Sequence, residues 1–297
     1  MVLKKQYFDA NFPKDSDNAT YHVGTKRGEV AARIVCVGDP TRAKVLASSP
    51  DFKLVFQKTS KRGFTTYTGY YKGTPISVVA TGMGFPMADF FVRECRAVVD
   101  GPMLIVRFGS CGGISDRARV GYMAVATKCI NVIRNVDYFS ALVKGRAPEG
   151  RPYLISQPVD VDVELLQCLT TELRREIHPA RVIACMNATA CSFYSSQGRT
   201  DEAFTDENAS LIDDIRNAHE ECETLEMETF QLVHLAHASA TRHNGWSPSI
   251  RAAACTMVFA GRTQNEFISP ADVEHLERVA GTAVLDAIVA CSLDGEV

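Results

Sequence analysis

The sequence predicts an α/β fold in a single domain, with a central sheet covered by helices on both faces. Three observations carry that expectation. Several short runs are apolar throughout rather than alternating, as in residues 33–37 (RIVCV), 103–108 (MLIVRF) and 251–258, which is the pattern of strands buried on both sides. Longer stretches of helical periodicity separate them. The 297 residues, 46% hydrophobic and 23% charged, are enough to bury a large core without disulfides. No repeat, low-complexity tract or linker divides residues 1–297, and residues 1–20 read as an N-terminal extension of that domain.

Residues 33–37 form the first buried strand, closed by Gly38-Asp39-Pro40, and residues 41–47 continue as a helix with Thr41 as its cap. Residues 65–71 and 75–80 make a hairpin around the Lys72-Gly73 turn. A helix over 86–100 follows a glycine-rich entry. The strand 103–108 runs into Gly109-Ser110-Cys111-Gly112-Gly113. Further strands are expected at 122–132, 182–188 and 251–258, and long helices at 227–237 and 271–293. Residues 137–158 and 242–248 read as surface loops or insertions.

The 32 basic residues nearly balance the 35 acidic ones, leaving −3. That argues against a nucleic-acid binder held by phosphate contacts, while leaving room for a local basic pocket. The ten cysteines are scattered, with no CxxC pair and no histidine at zinc-finger spacing. Many lie in apolar runs, so free thiols and a reducing, cytoplasmic location are expected. Residues 1–14 lack a signal-peptide core, and no stretch approaches the roughly 18 apolar residues of a membrane span. Neither membrane nor nucleic acid is an expected partner.

Four segments carry chemistry. Val37-Gly38-Asp39-Pro40-Thr41-Arg42 is a strand entering a helix through glycine, a place where backbone amides and an arginine fork suit an oxyanion. An ordinary turn with a surface arginine fits it equally. Arg107, inside the end of a buried strand, needs an anionic partner, either a bound ligand near Ser110 or an internal glutamate. The GxGxxG and Walker A patterns are missing, which favours a small oxyanion over a dinucleotide or ATP. Leu225-Glu226-Met227-Glu228-Thr229 reads as a helix start, where acids at i and i+2 diverge and form no catalytic dyad. One of them suits a sugar diol, and both suit a first helical turn. Phe193-Tyr194-Ser195-Ser196-Gln197-Gly198-Arg199 offers an amide, a guanidinium and an aromatic face to a flat ring bearing carbonyls, or is a plain surface loop.

Taken in order with RGFTTY, TGMGFP and VFAGRTQNE, these segments resemble the nucleoside phosphorylase-I family, most of all its uridine phosphorylase branch, from Tyr21 to about Glu266. The resemblance implies a three-layer α/β/α domain around a mixed, partly barrel-like sheet. It implies phosphate at Gly38, Arg42, Arg107 and Ser110, with Arg62 delivered from a neighbouring subunit. Ribose would lie against Glu226, Met227 and Glu228, with Glu228 gripping the 2′ and 3′ hydroxyls and His22 reaching the 5′-hydroxyl of the partner's site. Uracil would be held by Phe193, Gln197 and Arg199, with Arg262 supporting Arg199 through water. Arg107, Glu228 and Arg199 would carry catalysis. The reaction implied is reversible phosphorolysis of uridine to uracil and ribose 1-phosphate in pyrimidine salvage. Phosphate is then a co-substrate, no cofactor is required, and the assembly is a homodimer with shared sites. The alternatives within the resemblance are a purine nucleoside phosphorylase, a nucleosidase of the same fold, or a non-catalytic nucleoside-binding relative.

The sequence departs from the bacterial pattern. Gly63 and Met87 stand where the resemblance places a glutamate and a serine at a monovalent-cation site, so that site is expected to be lost in its bacterial form, and an interfacial cation of another kind is left open. Cys111 replaces a threonine of the glycine-rich loop, and added residues near 137–158 and 205–219, with the Trp246 loop, favour a dimer over a hexamer. Residues 258–261 (VFAG) hold no acid. A purine leaving group gains from protonation at N7, for which the purine branch has an aspartate; a departing uracil needs only its negative charge neutralised.

Overall fold

The computed structural model describes residues 6–239 and 249–293. Its strands are β1 (Tyr7–Phe8), β2 (Lys14–Asp15), β3 (Arg33–Val37), β4 (Phe52–Thr59), β5 (Thr65–Tyr71), β6 (Thr74–Ala80), β7 (Met103–Gly113), β8 (Met123–Arg134), β9 (Tyr153–Ile155), β10 (Val159–Asp160), β11 (Val182–Ala190), β12 (Cys222–Glu226), β13 (Ile250–Gly261) and β14 (Glu266–Phe267). The α-helices are α1 (Pro40–Ala47), α2 (Phe85–Arg96), α3 (Val136–Val143), α4 (Val163–Glu176), α5 (Leu211–Ala218), α6 (Thr229–Ala238) and α7 (Pro270–Ala290).

β1 and β2 pair only with each other, and the remaining strands form one mixed sheet. β13 pairs with both β8 and β7, so β13, β8, β11, β12 and β7 close into a five-stranded barrel. From the barrel, β3, β6, β5 and β4 continue as an open sheet. β7 belongs to both parts. One of its edges is taken along its length by β13, from Met103↔Ile250 to Gly113↔Gly261. The opposite edge changes partner: Leu104 to Arg107 pair with β3, whereas Gly112 and Gly113 pair with β12. Between them, at residues 108–111, the sheet splits.

Successive strand residues enter opposite cores because side chains alternate across a strand. Val35, Val37, Leu104, Val106 and Phe108 pack in the layer of α1 and α7, while Ile34, Cys36, Met103 and Ile105 pack in the layer of α2 and α6. This α/β/α layering is why these strands read as apolar throughout. The hairpin turns at Lys72 and Gly73, both with positive φ (49° and 84°), as a two-residue primed turn requires.

Three expectations need correction. Asp39, not Thr41, caps α1: its carboxylate accepts the N–H groups of Thr41 and Arg42 at 2.5 and 3.3 Å. Pro40 takes the first turn, where its missing N–H costs nothing. Residues 137–158 are not a plain loop; they hold most of α3 and all of β9, and bury Phe139 and Tyr153. The segment from Leu225 does not begin a helix, because Leu225 and Glu226 end β12 and α6 starts only at Thr229. The 242–248 loop, with Trp246, lies outside the described residues. The ten cysteines are all unpaired. No helix among the described residues is long and apolar enough to cross a membrane.

Candidate active site

A cavity of about 550 Å³ opens at the split in the sheet. The β3–α1 junction contributes Gly38, Asp39, Pro40 and Arg42, and β7 contributes Arg107, Ser110, Cys111 and Gly112. Leu225, Glu226, Met227 and Glu228 form another wall, and Gly82 with Met83 a further one. The far end is Phe193, Gln197, Arg199, Phe259, Ala260 and Phe267. Of the thirteen residues expected at the site, ten line this cavity; His22, Arg62 and Arg262 do not.

Arg107 is the buried centre. Its Nε donates to Glu226 Oε2 at 2.9 Å and its Nη2 donates to Glu228 Oε2. The two acids therefore converge on one guanidinium, contrary to the divergence expected on a helix, because a strand end and a turn replace the helical geometry. The guanidinium lies across Gly109, where a Cβ would sit 2.8 Å from Nη2. Glycine is required there by close approach. Burial would depress Arg107, but Glu228 and Glu226 outweigh it and raise its pKa.

Glu226 is saturated by protein. Thr189 Oγ1 and Asn187 Nδ2 donate to its Oε1 at 2.7 and 2.9 Å, and the N–H of Glu228 donates to Oε2 at 3.0 Å. Burial would raise its carboxyl, yet Arg107 and these donors hold it below the usual range. Glu228 accepts the Gly84 N–H at 2.5 Å besides Arg107. Burial pushes this carboxyl up, and Glu226 adds to the push against the pull of Arg107. The folded protein thus keeps the Glu228 proton to higher pH than the unfolded chain does, so ionised Glu228 costs stability above the ordinary carboxylate range. The melting temperature of Glu228→Gln, relative to the parent, is expected to rise as buffers move from mildly acidic to mildly alkaline. Parallel pH profiles would show that Glu228 titrates normally.

Arg42 is buried, with Nε 2.9 Å from Glu277 of α7 and Nη1 3.4 Å from the Phe108 carbonyl. Burial lowers its pKa, and Arg107 repels it, against the pull of Glu277. Two buried guanidiniums within each other's field, beside Gly38 and Ser110, make a place where an oxyanion lowers the energy of both. Cys111 lines the same wall, but its sulfur accepts from Thr256 Oγ1 at 3.1 Å.

At the far end, Arg199 Nη1 donates to Gln197 Oε1 at 2.5 Å and to the Phe193 carbonyl at 2.9 Å, with its guanidinium 3.9 Å from the Phe193 ring centroid. Burial and the charge of Arg262 lower Arg199 to about 10. Arg262 does not bond Arg199; it donates directly to the carbonyls of Gln197 and Gly198 at 2.8 and 3.0 Å.

His22 and Arg62 stand together elsewhere, on either side of Tyr21. Arg62 Nη2 donates to Tyr21 Oη at 2.8 Å, and the His22 ring packs edge-on to Tyr21, stacks 3.7 Å from Phe90 and bonds Glu94 at 2.7 Å. Gly63 has φ +89°, a conformation that a glutamate would adopt only under strain. Among the described residues no group of three or more His, Cys, Asp and Glu side chains is placed to hold a metal ion.

A family model described as the phosphorylase superfamily matches residues 32–285. The chain belongs to the phosphorylase superfamily. As a member, it is 28% identical over 269 residues to the uridine phosphorylase of Thermococcus kodakarensis, covering 89% of this chain and 86% of that one. It is also 34% identical over 146 residues to a DeoD-type purine nucleoside phosphorylase of Geobacillus kaustophilus, covering 48% of this chain and 59% of that one. A solved structure from a study of two diverse uridine phosphorylases of the oomycete Phytophthora capsici superposes with a TM-score of 0.90 at 40% identity, covering 97% of this chain and 100% of that one. A nucleoside phosphorylase of Trypanosoma brucei shares the fold at a TM-score of 0.74 and 20% identity, covering 94% of this chain and 100% of that one. Family and fold are as the motifs implied. Within this superfamily site, the sequence reading missed Asn187 and Thr189, which hold Glu226, and Glu277, which holds Arg42. Asn187 and Thr189 had a signal: polar residues two apart in an otherwise apolar strand.

Proposed function

We propose that this protein is a uridine phosphorylase, a pentosyltransferase that splits uridine reversibly with phosphate into uracil and ribose 1-phosphate. The observation that carries the reading is the end of the cavity holding Gln197 and Arg199. The carboxylates lining the cavity are Asp39, Glu226 and Glu228. Asp39 caps α1 and the other two are tied to Arg107, so among the described residues no acid that lines the cavity is left free to face the Gln197–Arg199 pair. A purine leaving group lacks its proton donor there. A departing uracil carries negative charge on a ring nitrogen and two carbonyl oxygens, which Arg199 and Gln197 neutralise without protonating it.

In this reading phosphate binds against Gly38, Arg42, Arg107 and Ser110. It stabilises the cationic C1′ of the breaking glycosidic bond while the guanidiniums fix its position. Ribose rests on Met227, with Glu228 accepting from the 2′ and 3′ hydroxyls, and Glu226 holds Arg107 in place. Arg62 and His22 complete the site of a second copy across a two-fold axis, which makes a homodimer with shared sites. We place the reaction in pyrimidine salvage in the cytoplasm, with no cofactor required.

Uridine and inosine, each with phosphate, separate this reading from the purine one that the Geobacillus relative favours. The expected kcat/KM for uridine exceeds that for inosine by roughly a hundredfold or more, because a site built for one hydrogen-bonding edge leaves buried groups unpaired with another. Comparable values would overturn the pyrimidine assignment. Release of free ribose without phosphate would make the protein a nucleosidase.

A further inference from the structure

We infer that the turn meeting the base, residues 193–199, is held in its working shape by a clamp behind it made of Arg134, Tyr153, Asp206 and Asn208. None of the four lines the cavity. The inference rests on the base-binding reading of Gln197 and Arg199 given above.

The turn has little regular structure of its own, only a 3₁₀ turn over Ser195–Gln197 followed by Gly198 in the left-handed conformation. Its own bonds, such as Arg199 N–H to the Tyr194 carbonyl at 3.0 Å, are supplemented by a set from outside. Asn208 Nδ2 donates to the carbonyls of Ser195 and Arg199 at 3.0 and 2.8 Å, pinning both ends of the segment that contains Gln197. Arg134 Nη1 donates to Ser195 Oγ at 2.6 Å and to Asp206 Oδ1, and its Nη2 donates to the Thr205 carbonyl at 3.0 Å. The Arg134 guanidinium stacks 3.7 Å from the centroid of Phe139. Tyr153 Oη lies 2.7 Å from Ser195 Oγ and donates to the Asp206 carbonyl at 2.6 Å. Asp206 and Asn208 are both buried.

Three separate pieces of chain thus meet behind one short turn. Arg134 ends β8, Tyr153 begins β9, and Asp206 and Asn208 lie in the segment leading to α5. Two of the three are the stretches that read as insertions. The half-buried Arg134 charge, paired with the buried Asp206 and stacked on an aromatic ring, is tethered on several sides, and the turn bonded to it is tethered with it. The consequence at the cavity is orientation: Gln197 and Arg199 stay paired and aimed together. The four are positioning residues, acting on the base and not on phosphate.

The test compares Asn208→Ala and Tyr153→Phe with the parent, measuring uracil and phosphate binding separately by calorimetry, and KM for uridine and for phosphate by kinetics. Asn208→Ala is expected to weaken uracil roughly tenfold or more and to raise KM for uridine alike, since two buried bonds are lost. Phosphate binding and KM for phosphate should stay within about twofold, because the anion pocket is untouched. Tyr153→Phe keeps the ring and should show the same split, more weakly, even if Asn208→Ala folds poorly. Equal loss of both ligands in both variants, or unchanged uracil binding, overturns the clamp while the base reading stands. If the parent itself binds phosphate but not uracil, the base reading fails and this inference falls with it.

Discussion

Arg107→Ala is expected to lose roughly a hundredfold or more in kcat/KM, with its phosphate dependence weakened, and to destabilise the fold by about 3–5 kcal/mol. Both effects have one origin. In the proposed reaction the guanidinium is the charge that phosphate meets on β7, and in the structure it is the counter-ion of two buried acids, Glu226 and Glu228. Removing it leaves two carboxylates facing each other with little water. They respond by taking up protons, so the loss of stability should shrink in acid and grow toward neutral pH. Adding Glu228→Gln to Arg107→Ala should recover part of the stability and none of the activity. The measurement is a set of melts across pH alongside phosphate-saturation kinetics. Unchanged phosphate kinetics in a folded Arg107→Ala protein would place the anion elsewhere.

Mixing two inactive proteins should restore activity. Arg62 and His22 are not among the residues that line the cavity of their own chain, and both contact Tyr21. In the shared-site homodimer proposed above, Arg62→Ala in one protomer and Arg199→Ala in the other leave one site with both lesions and one site with neither. Random exchange makes half the dimers mixed, so about a quarter of the parent activity should appear. Each variant alone should remain far below that. Demonstrated subunit exchange without recovery would mean that Arg62 serves its own chain or none.

The legible parts of this molecule were those where burial dictates composition. β3, β7 and β13 announce themselves because both faces are covered, and Arg107 is conspicuous as a charge in such a strand. β12 hid itself: CETLE is buried along its length yet carries two acids, so neither apolarity nor alternation marks it. That error spread to the site, since acids placed on a helix cannot meet. Their convergence becomes visible only once β12 lies beside β7. α4 was readable and overlooked, with Leu165, Leu169 and Leu173 at four-residue spacing behind an Asp162 cap. The clamp behind the base turn was unreadable, because its members are far apart in the chain and none carries a motif.

The closure of the barrel also sets an order of events during synthesis. β7 (Met103–Gly113) leaves the ribosome well before the strand that fills its long edge, β13 (Ile250–Gly261). At typical translation speeds the interval between them is on the order of ten seconds. Throughout that interval MLIVRF offers an unpaired, apolar edge, and for most of it Arg107 lacks Glu226 and Glu228, which are made only shortly before β13. The nascent chain is therefore exposed to misassociation at the strand that carries Arg107, and a chain released before β13 would hold neither a closed barrel nor a complete cavity.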